Sequence, residues 1–178
     1  MNTTMTRLGA LGLILALLPM AAQATLIGDE ITVEFILGGT SQGSATAIVV
    51  DPGREFEGPG FGLDPGEFID ISGSAIEALV LEPFLVPDTR YIFSDLDWVG
   101  GPGIITGFTL TTDIAGFSAA DITFGDDFVI VNAGDFTGTG TMLIELQTSH
   151  TAVPEPGTLA LLGIGLAGIG LARRRKKI

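Results

Sequence analysis

Asp29-Glu30-Ile31-Thr32-Val33-Glu34-Phe35 is the stretch from which the fold can be read. Polar and apolar residues alternate along it, so Ile31, Val33 and Phe35 fall on one face and Glu30, Thr32 and Glu34 on the other. A period of two is that of a strand with one face in a core and one in water. Thr141 to Thr148 repeats the pattern, with Met142, Ile144 and Leu146 on the inward side.

Between these two segments the chain shows almost no helical periodicity. Short β-branched and aromatic runs alternate with Gly, Pro, Asp and Ser at the spacing of sandwiches and barrels. Ser44 to Val50 reads as a strand stopped by Asp51-Pro52-Gly53, and Glu55 to Glu57 as a short edge piece. Pro59 to Gly66 is too rich in Pro and Gly for a ladder. Glu67 to Ile71 alternates again, with Phe68 and Asp70 on one face and Ile69 on the other. Ser74 to Leu81 fits a helical turn through Ile76, Leu79 and Val80, but Pro83 cuts it short and favours a strand. Further strands are expected within Thr89 to Trp98, Ile104 to Thr112, Asp121 to Phe124 and Phe128 to Asn132. Gly38-Gly39, Gly125-Asp126-Asp127 and Ala133-Gly134-Asp135 read as turns, the last two of hairpin type. Gly100-Gly101-Pro102-Gly103 also breaks the chain, and no repeat of fixed period is present. Eight to ten such strands predict an all-β protein, an antiparallel two-sheet β-sandwich of jelly-roll-like form.

The two ends do not share this pattern. Met1 to Ala24 has the layout of a secretory signal peptide: Arg7, an apolar run from Leu8 to Leu18, and Ala22-Gln23-Ala24 as a small-x-small cleavage site before Thr25. The last 26 residues run Val153-Pro154-Glu155-Pro156-Gly157, then uncharged to Ala172, then Arg173-Arg174-Arg175-Lys176-Lys177-Ile178. As a helix, 157–172 would cover about 24 Å of a bilayer core roughly 30 Å thick, and the basic cluster would stay on the cytoplasmic side. The organisation expected is a signal peptide at 1–24, an acidic sandwich at 25–152, and a C-terminal segment at 153–178 with a single transmembrane helix at about 157–172 and a basic tail at 173–177.

Charge sharpens the division. The whole chain carries −13, but only Arg54 and Arg90 of its eight basic residues lie between 25 and 152, against 20 of the 21 acids. That body has a net charge of −18, which repels phosphate backbones and excludes nucleic acid as a partner. Cysteine is absent, so neither disulfides nor thiol chemistry contribute.

Candidate chemistry is sparse. His150 is the sole histidine and falls beside Val153-Pro154, where a linker position is expected and a preorganised triad is not. Asp95/Asp97, Asp126/Asp127 and Glu55/Glu57 are paired acids. In a strand Asp95 and Asp97 would share a face about 6–7 Å apart, a spacing seen in glycosidase acid–base pairs. A chain this acidic produces such pairs by chance, and no catalytic residue is assigned. Asp95, Asp97, Asp126 and Asp127 are also weak candidates for a structural Ca²⁺, because oxygen-rich loops suit it, though no EF-hand or nonapeptide pattern is present. The reading is of a non-enzymatic protein without a cofactor. Trp98 reads as a core residue.

Val153-Pro154-Glu155-Pro156, followed by an apolar Gly-rich helix and the cluster Arg173 to Lys177, resembles the PEP-CTERM sorting signal of Gram-negative, exopolysaccharide-producing bacteria. One departure is Gly157, where Ser is common in that family. The resemblance implies Sec export, transient anchoring in the inner membrane, and processing near Pro154-Glu155-Pro156 by a membrane-embedded exosortase. The mature protein would then reside at the cell surface or outside. It further implies a structural or adhesive role in an exopolysaccharide layer, with a carbohydrate-binding module as the alternative and a secreted hydrolase behind it.

Overall fold

The computed structural model describes residues 25–101, 103–134, 136–150 and 166. Ten strands run in chain order: β1 (Glu30–Leu37), β2 (Thr40–Ile48), β3 (Phe56–Glu57), β4 (Phe68–Ile71), β5 (Ala75–Val80), β6 (Arg90–Ser94), β7 (Gly103–Thr112), β8 (Ile122–Phe124), β9 (Val129–Asn132) and β10 (Gly140–His150). They form two five-stranded antiparallel sheets, ordered β2-β1-β6-β9-β8 and β3-β4-β5-β10-β7.

The alternation in β1 is what positions the first sheet. Ile31, Val33 and Phe35 are buried, with Tyr91 and Phe93 of β6 and Val129 and Val131 of β9 beside them. Ile69, Ile71, Ile76, Ala78, Val80, Met142, Ile144 and Leu146 close the same core from the second sheet. One apolar layer thus lies between two sheets, and the β-sandwich expectation holds. The connections are not those of a jelly roll. β1–β2 and β8–β9 are hairpins and β3–β4–β5 is a meander, each inside one sheet, where a jelly roll is built from two Greek keys.

Local chemistry explains several boundaries. Leu37 pairs with Thr40 across Gly38-Gly39, whose φ values of 58° and 76° give the two left-handed residues of a type I′ hairpin. This tight turn starts β2 at Thr40, earlier than the expected Ser44. Phe68 points to the outer face of β4 yet is only 8% exposed, because the Arg54 guanidinium lies 3.6 Å over its ring. Ser74 to Leu81 resolves as a strand, with Ile76, Ala78 and Val80 inward. A capping box between Ser118 and Asp121 starts the 3-10 turn Ala119–Asp121 ahead of β8.

Two further expectations are corrected. Ala133-Gly134 does not close a hairpin, since β9 and β10 lie in different sheets; both N–H groups instead donate to the Thr89 carbonyl. His150 is not in a linker, because β10 continues and places it opposite Gly103 of β7. The signal peptide with Ala22 and Ala24, the motif Val153 to Pro156, the segment 157–172 apart from Leu166, and Arg173 to Lys177 lie outside the described residues. No helix among the described residues is long and apolar enough to cross a membrane.

Candidate functional sites

The strand β6 ends at Ser94, one residue before the acidic pair singled out above. Asp95 takes a left-handed φ of 60°, and the Asp97 N–H donates to its carbonyl at 2.9 Å. The reversal drives Leu96 inward to 1% exposure, its N–H bound to the Asp127 carbonyl at 3.0 Å. Asp95 and Asp97 therefore lie in a turn and not on one strand face, so the strand geometry behind the glycosidase-like expectation does not apply.

The neighbouring turns lock together through backbone. The Asp97 N–H also donates to Asp29 Oδ2 at 2.8 Å, and the Ile105 N–H donates to the Asp126 carbonyl at 2.9 Å. Gly125 to Phe128 closes the β8–β9 hairpin as expected. Burial raises the Asp29 carboxyl above its ordinary 3.8. The N–H groups of Asp97 and Glu30 oppose that shift, and the charges of Asp97 and Asp95 add to it. Asp95, Asp97, Asp126 and Asp127 are thus brought to one end of the sandwich. Even so, no group of three acidic or histidine side chains among the described residues is placed to hold a metal ion. The calcium candidates act there through their backbone.

Glu55 and Glu57 are used separately. Glu55 accepts from the N–H of Val50 at 2.9 Å and of Ile71 at 2.7 Å, joining the end of the β2 segment to β4. Glu57 meets Arg54 at 3.5 Å on the surface, a contact worth little in water.

The polar group that sequence reasoning missed is Glu67, a buried acid with 3% exposure. Its carboxylate accepts three N–H groups: Asp64 at 2.8 Å, Leu81 at 2.6 Å and Glu82 at 3.2 Å. Beside it the Tyr91 hydroxyl donates to the Gly62 carbonyl at 2.9 Å. Burial pushes the Tyr91 phenol well above its ordinary 10, and the charges of Glu67 and Asp64 push the same way. Both residues line a cavity of about 20 Å³, enough for one water molecule. This arrangement ties a loop to the ends of two strands and presents nothing to a substrate. The signal available was that Glu67 opens the alternating run Glu67 to Ile71, on the same face as Ile69, where expectation read only the start of a strand.

A more open polar cleft of about 370 Å³ is lined by Pro87, Asp88, Thr89, Asp121, Asn132 and Gly134. Much of its polar lining is already bonded within the protein. Thr89 Oγ1 donates to the Val86 carbonyl at 2.7 Å, Asn132 Nδ2 to the Asp121 carbonyl at 3.0 Å, and Asp121 Oδ2 accepts from Ser118. No aromatic side chain lines it to stack on a sugar ring.

Thr25, the residue expected to follow signal cleavage, exchanges two backbone bonds with Val99, at 3.2 and 2.8 Å. Leu26 behind it is fully buried. At the other end β10 runs to His150, and the Pro-Glu-Pro segment follows four residues on.

Fold and surface together define an acidic β-sandwich in which the carboxylates of Asp29, Glu55, Glu67, Asp113 and Asp121 accept from its own backbone. Residues 152–176 match the family described as the PEP-CTERM protein-sorting motif, so the chain carries that motif at its C-terminal end. The match takes in Val153, Pro154, Glu155, Pro156 and the basic cluster as far as Lys176. The motif implies an exported protein with an exosortase as its processing partner. No curated protein and no solved structure matches the chain.

Proposed function

We propose that this chain is the precursor of a surface or extracellular-matrix protein, whose acidic sandwich has a structural or adhesive role in an exopolysaccharide layer. The Sec machinery would export it, with cleavage between Ala24 and Thr25. Residues 157–172 would then hold it in the inner membrane, with Arg173 to Lys177 inside. Exosortase cleavage near Pro154-Glu155-Pro156 would release the body. The observation that carries this reading is the sorting motif at 152–176. The Thr25–Val99 bridge supports the proposed start of the mature body, because it ties down the residue that cleavage would leave first.

The sandwich is proposed to work without catalysis and without a bound cofactor. Supporting this, Glu55, Glu67 and Asp29 spend their oxygens on backbone N–H groups rather than facing one another across a cleft.

The test replaces Pro154, Glu155 and Pro156 by alanine in a host that has the exosortase. The expected result is a body retained in the membrane pellet, whereas the native chain is released with a new C-terminus found by mass spectrometry. Equal release of the two would sink the processing reading. The role of the body is tested by pull-down on the host's exopolysaccharide with and without Ca²⁺. Capture that needs Ca²⁺ would favour a calcium-dependent carbohydrate-binding module instead.

A further inference from the structure

The two sheets have four edges, and they are guarded very unequally. β3 spans only Phe56–Glu57 and includes an acid, and β8 spans only Ile122–Phe124. The other two edges are the long strands β2 (TSQGSATAI) and β7 (GIITGFTLTT). Neither contains a charged residue or a proline, in a body of net charge −18. Short length, charge and proline are the devices by which natural edges avoid pairing with another chain.

Both long edges do carry a bulge, and in each it marks off a regular remainder. The register of β7 on β10 skips Thr106, below which the Ile105 N–H is taken by the Asp126 carbonyl. The register of β2 on β1 skips Gln42. Residues 107–112 and 43–48 remain, runs of equal length. Their faces also match: Phe108 and Leu110, like Ala45 and Ala47, pack toward the core, whereas Thr109 and Thr111, like Ser44 and Thr46, are exposed. Asp113, just past β7, is turned back to accept the Thr141 N–H at 2.6 Å and so does not face outward from the edge.

The two runs lie on opposite sides of the sandwich. β7 sits against β8, with the Phe108 and Phe124 rings 5.7 Å apart, so β2 must lie over β3 on the far side. We infer that β7 of one copy pairs with β2 of the next, joining the second sheet of one molecule to the first sheet of its neighbour. A contact between two different surfaces leaves one of each free on every copy, so it builds a chain of molecules, or a ring where the rotation closes.

Charge selects this joint. Across it, the nearest strand-borne acids would be Glu145 on β10, which pairs with Thr109, and Glu34 on β1, which pairs with Ser44. They stand three strand spacings apart, about 14 Å, beyond the roughly 8 Å over which salt screens charge at physiological strength. Copies of so acidic a molecule can approach here without opposing carboxylates. The pairing would hold whether or not the released protein binds polysaccharide, and its test is independent of processing.

The chain has no cysteine, so introduced ones report alone. Full-length protein in detergent micelles is treated with a short bismaleimide and run on a denaturing gel, with circular dichroism to verify that each variant is folded. Thr46→Cys combined with Thr109→Cys is expected to give a ladder of dimers, trimers and larger species. Thr46→Cys alone, Thr109→Cys alone and Glu77→Cys, in the middle of an outer face, are expected to stay monomeric. Adding Thr111→Lys to the double-cysteine protein is expected to remove most of the ladder, because lysine guards an edge. If general charge repulsion alone set association, the same lysine would lengthen the ladder. A monomer from the double variant, a dimer from Thr109→Cys alone, a dimer from Glu77→Cys in comparable yield, or a ladder lengthened by Thr111→Lys would each overturn the inference.

Discussion

Glu67 and the Asp29 turn use the same functional group to opposite effect. Glu67 is almost fully buried, and three N–H groups from two separate segments converge on it. Asp29 is less enclosed, accepts from the Asp97 N–H, and has Asp95 and Asp97 as neighbours. One carboxylate gathers three donors, from the loop before β4 and from the end of β5. The other is placed among its own kind. An acidic protein is thus held together where an acid meets backbone donors and weakened where it meets another acid.

Removing the first arrangement should have the largest effect. Glu67→Ala leaves the N–H groups of Asp64, Leu81 and Glu82 without their acceptor in a largely buried place. With about 1–3 kcal/mol for each buried donor left unsatisfied, less whatever water recovers, the loss should be about 3 kcal/mol or more. Urea unfolding would measure it, and faster hydrogen exchange at Leu81 and Glu82 would place it. A loss below about 1 kcal/mol would mean that the three bonds are readily replaced by water.

The second arrangement recurs on the outer face of the second sheet, where Asp70 of β4 stands directly opposite Glu77 of β5. Glu145 lies diagonally beyond, opposite Ala75. Like charges in a cross-strand pair destabilise, and opposite charges contribute a few tenths of a kcal/mol. Glu77→Lys should therefore stabilise the sandwich by about 0.5 kcal/mol at low salt. The gain should shrink as salt is added, because the pair is at the surface. A thermal melt that does not move, or that falls, would show that the two acids already avoid each other.

What could be read in advance follows from how local each signal is. Alternation in Ile31-Thr32-Val33-Glu34-Phe35 and in Met142 to Leu146 depends only on the strand's own period, and the inward residues are those expected. Gly38-Gly39 is equally local. The misses all needed a partner from elsewhere. Alternation continues past Ser94, yet the strand stops because Leu96 turns in to reach the Asp127 carbonyl. Phe68 shares a face with Asp70 by alternation, and nothing local shows that Arg54 covers it. Ala133-Gly134 has hairpin composition, but its flanking strands belong to different sheets. Glu67 could not be separated from the other acids, because its three donors come from residues 64, 81 and 82. The C-terminal motif is the reverse case: it is legible from residue order alone, with no partner from the body required.

The smallest expected effect lies at Asp29, where the sign is the informative part. Its folded pKa stands above the ordinary 3.8, so folding favours the protonated form. Well below about pH 3.8 both states are protonated and the site imposes no cost. As pH rises through the folded pKa, the partly buried carboxylate ionises in the folded state at a penalty, and stability from this group is lost. Asn keeps an oxygen for the Asp97 N–H and never ionises. Asp29→Asn should therefore be more stable than the native chain at about pH 7, by a few tenths of a kcal/mol after solvent screening, and equal to it at about pH 3. Paired thermal melts across that window would check it. A variant less stable at neutral pH would mean that charge on Asp29 strengthens the Asp97 bond by more than burial and the neighbouring acids oppose it, and the contrast with Glu67 would disappear.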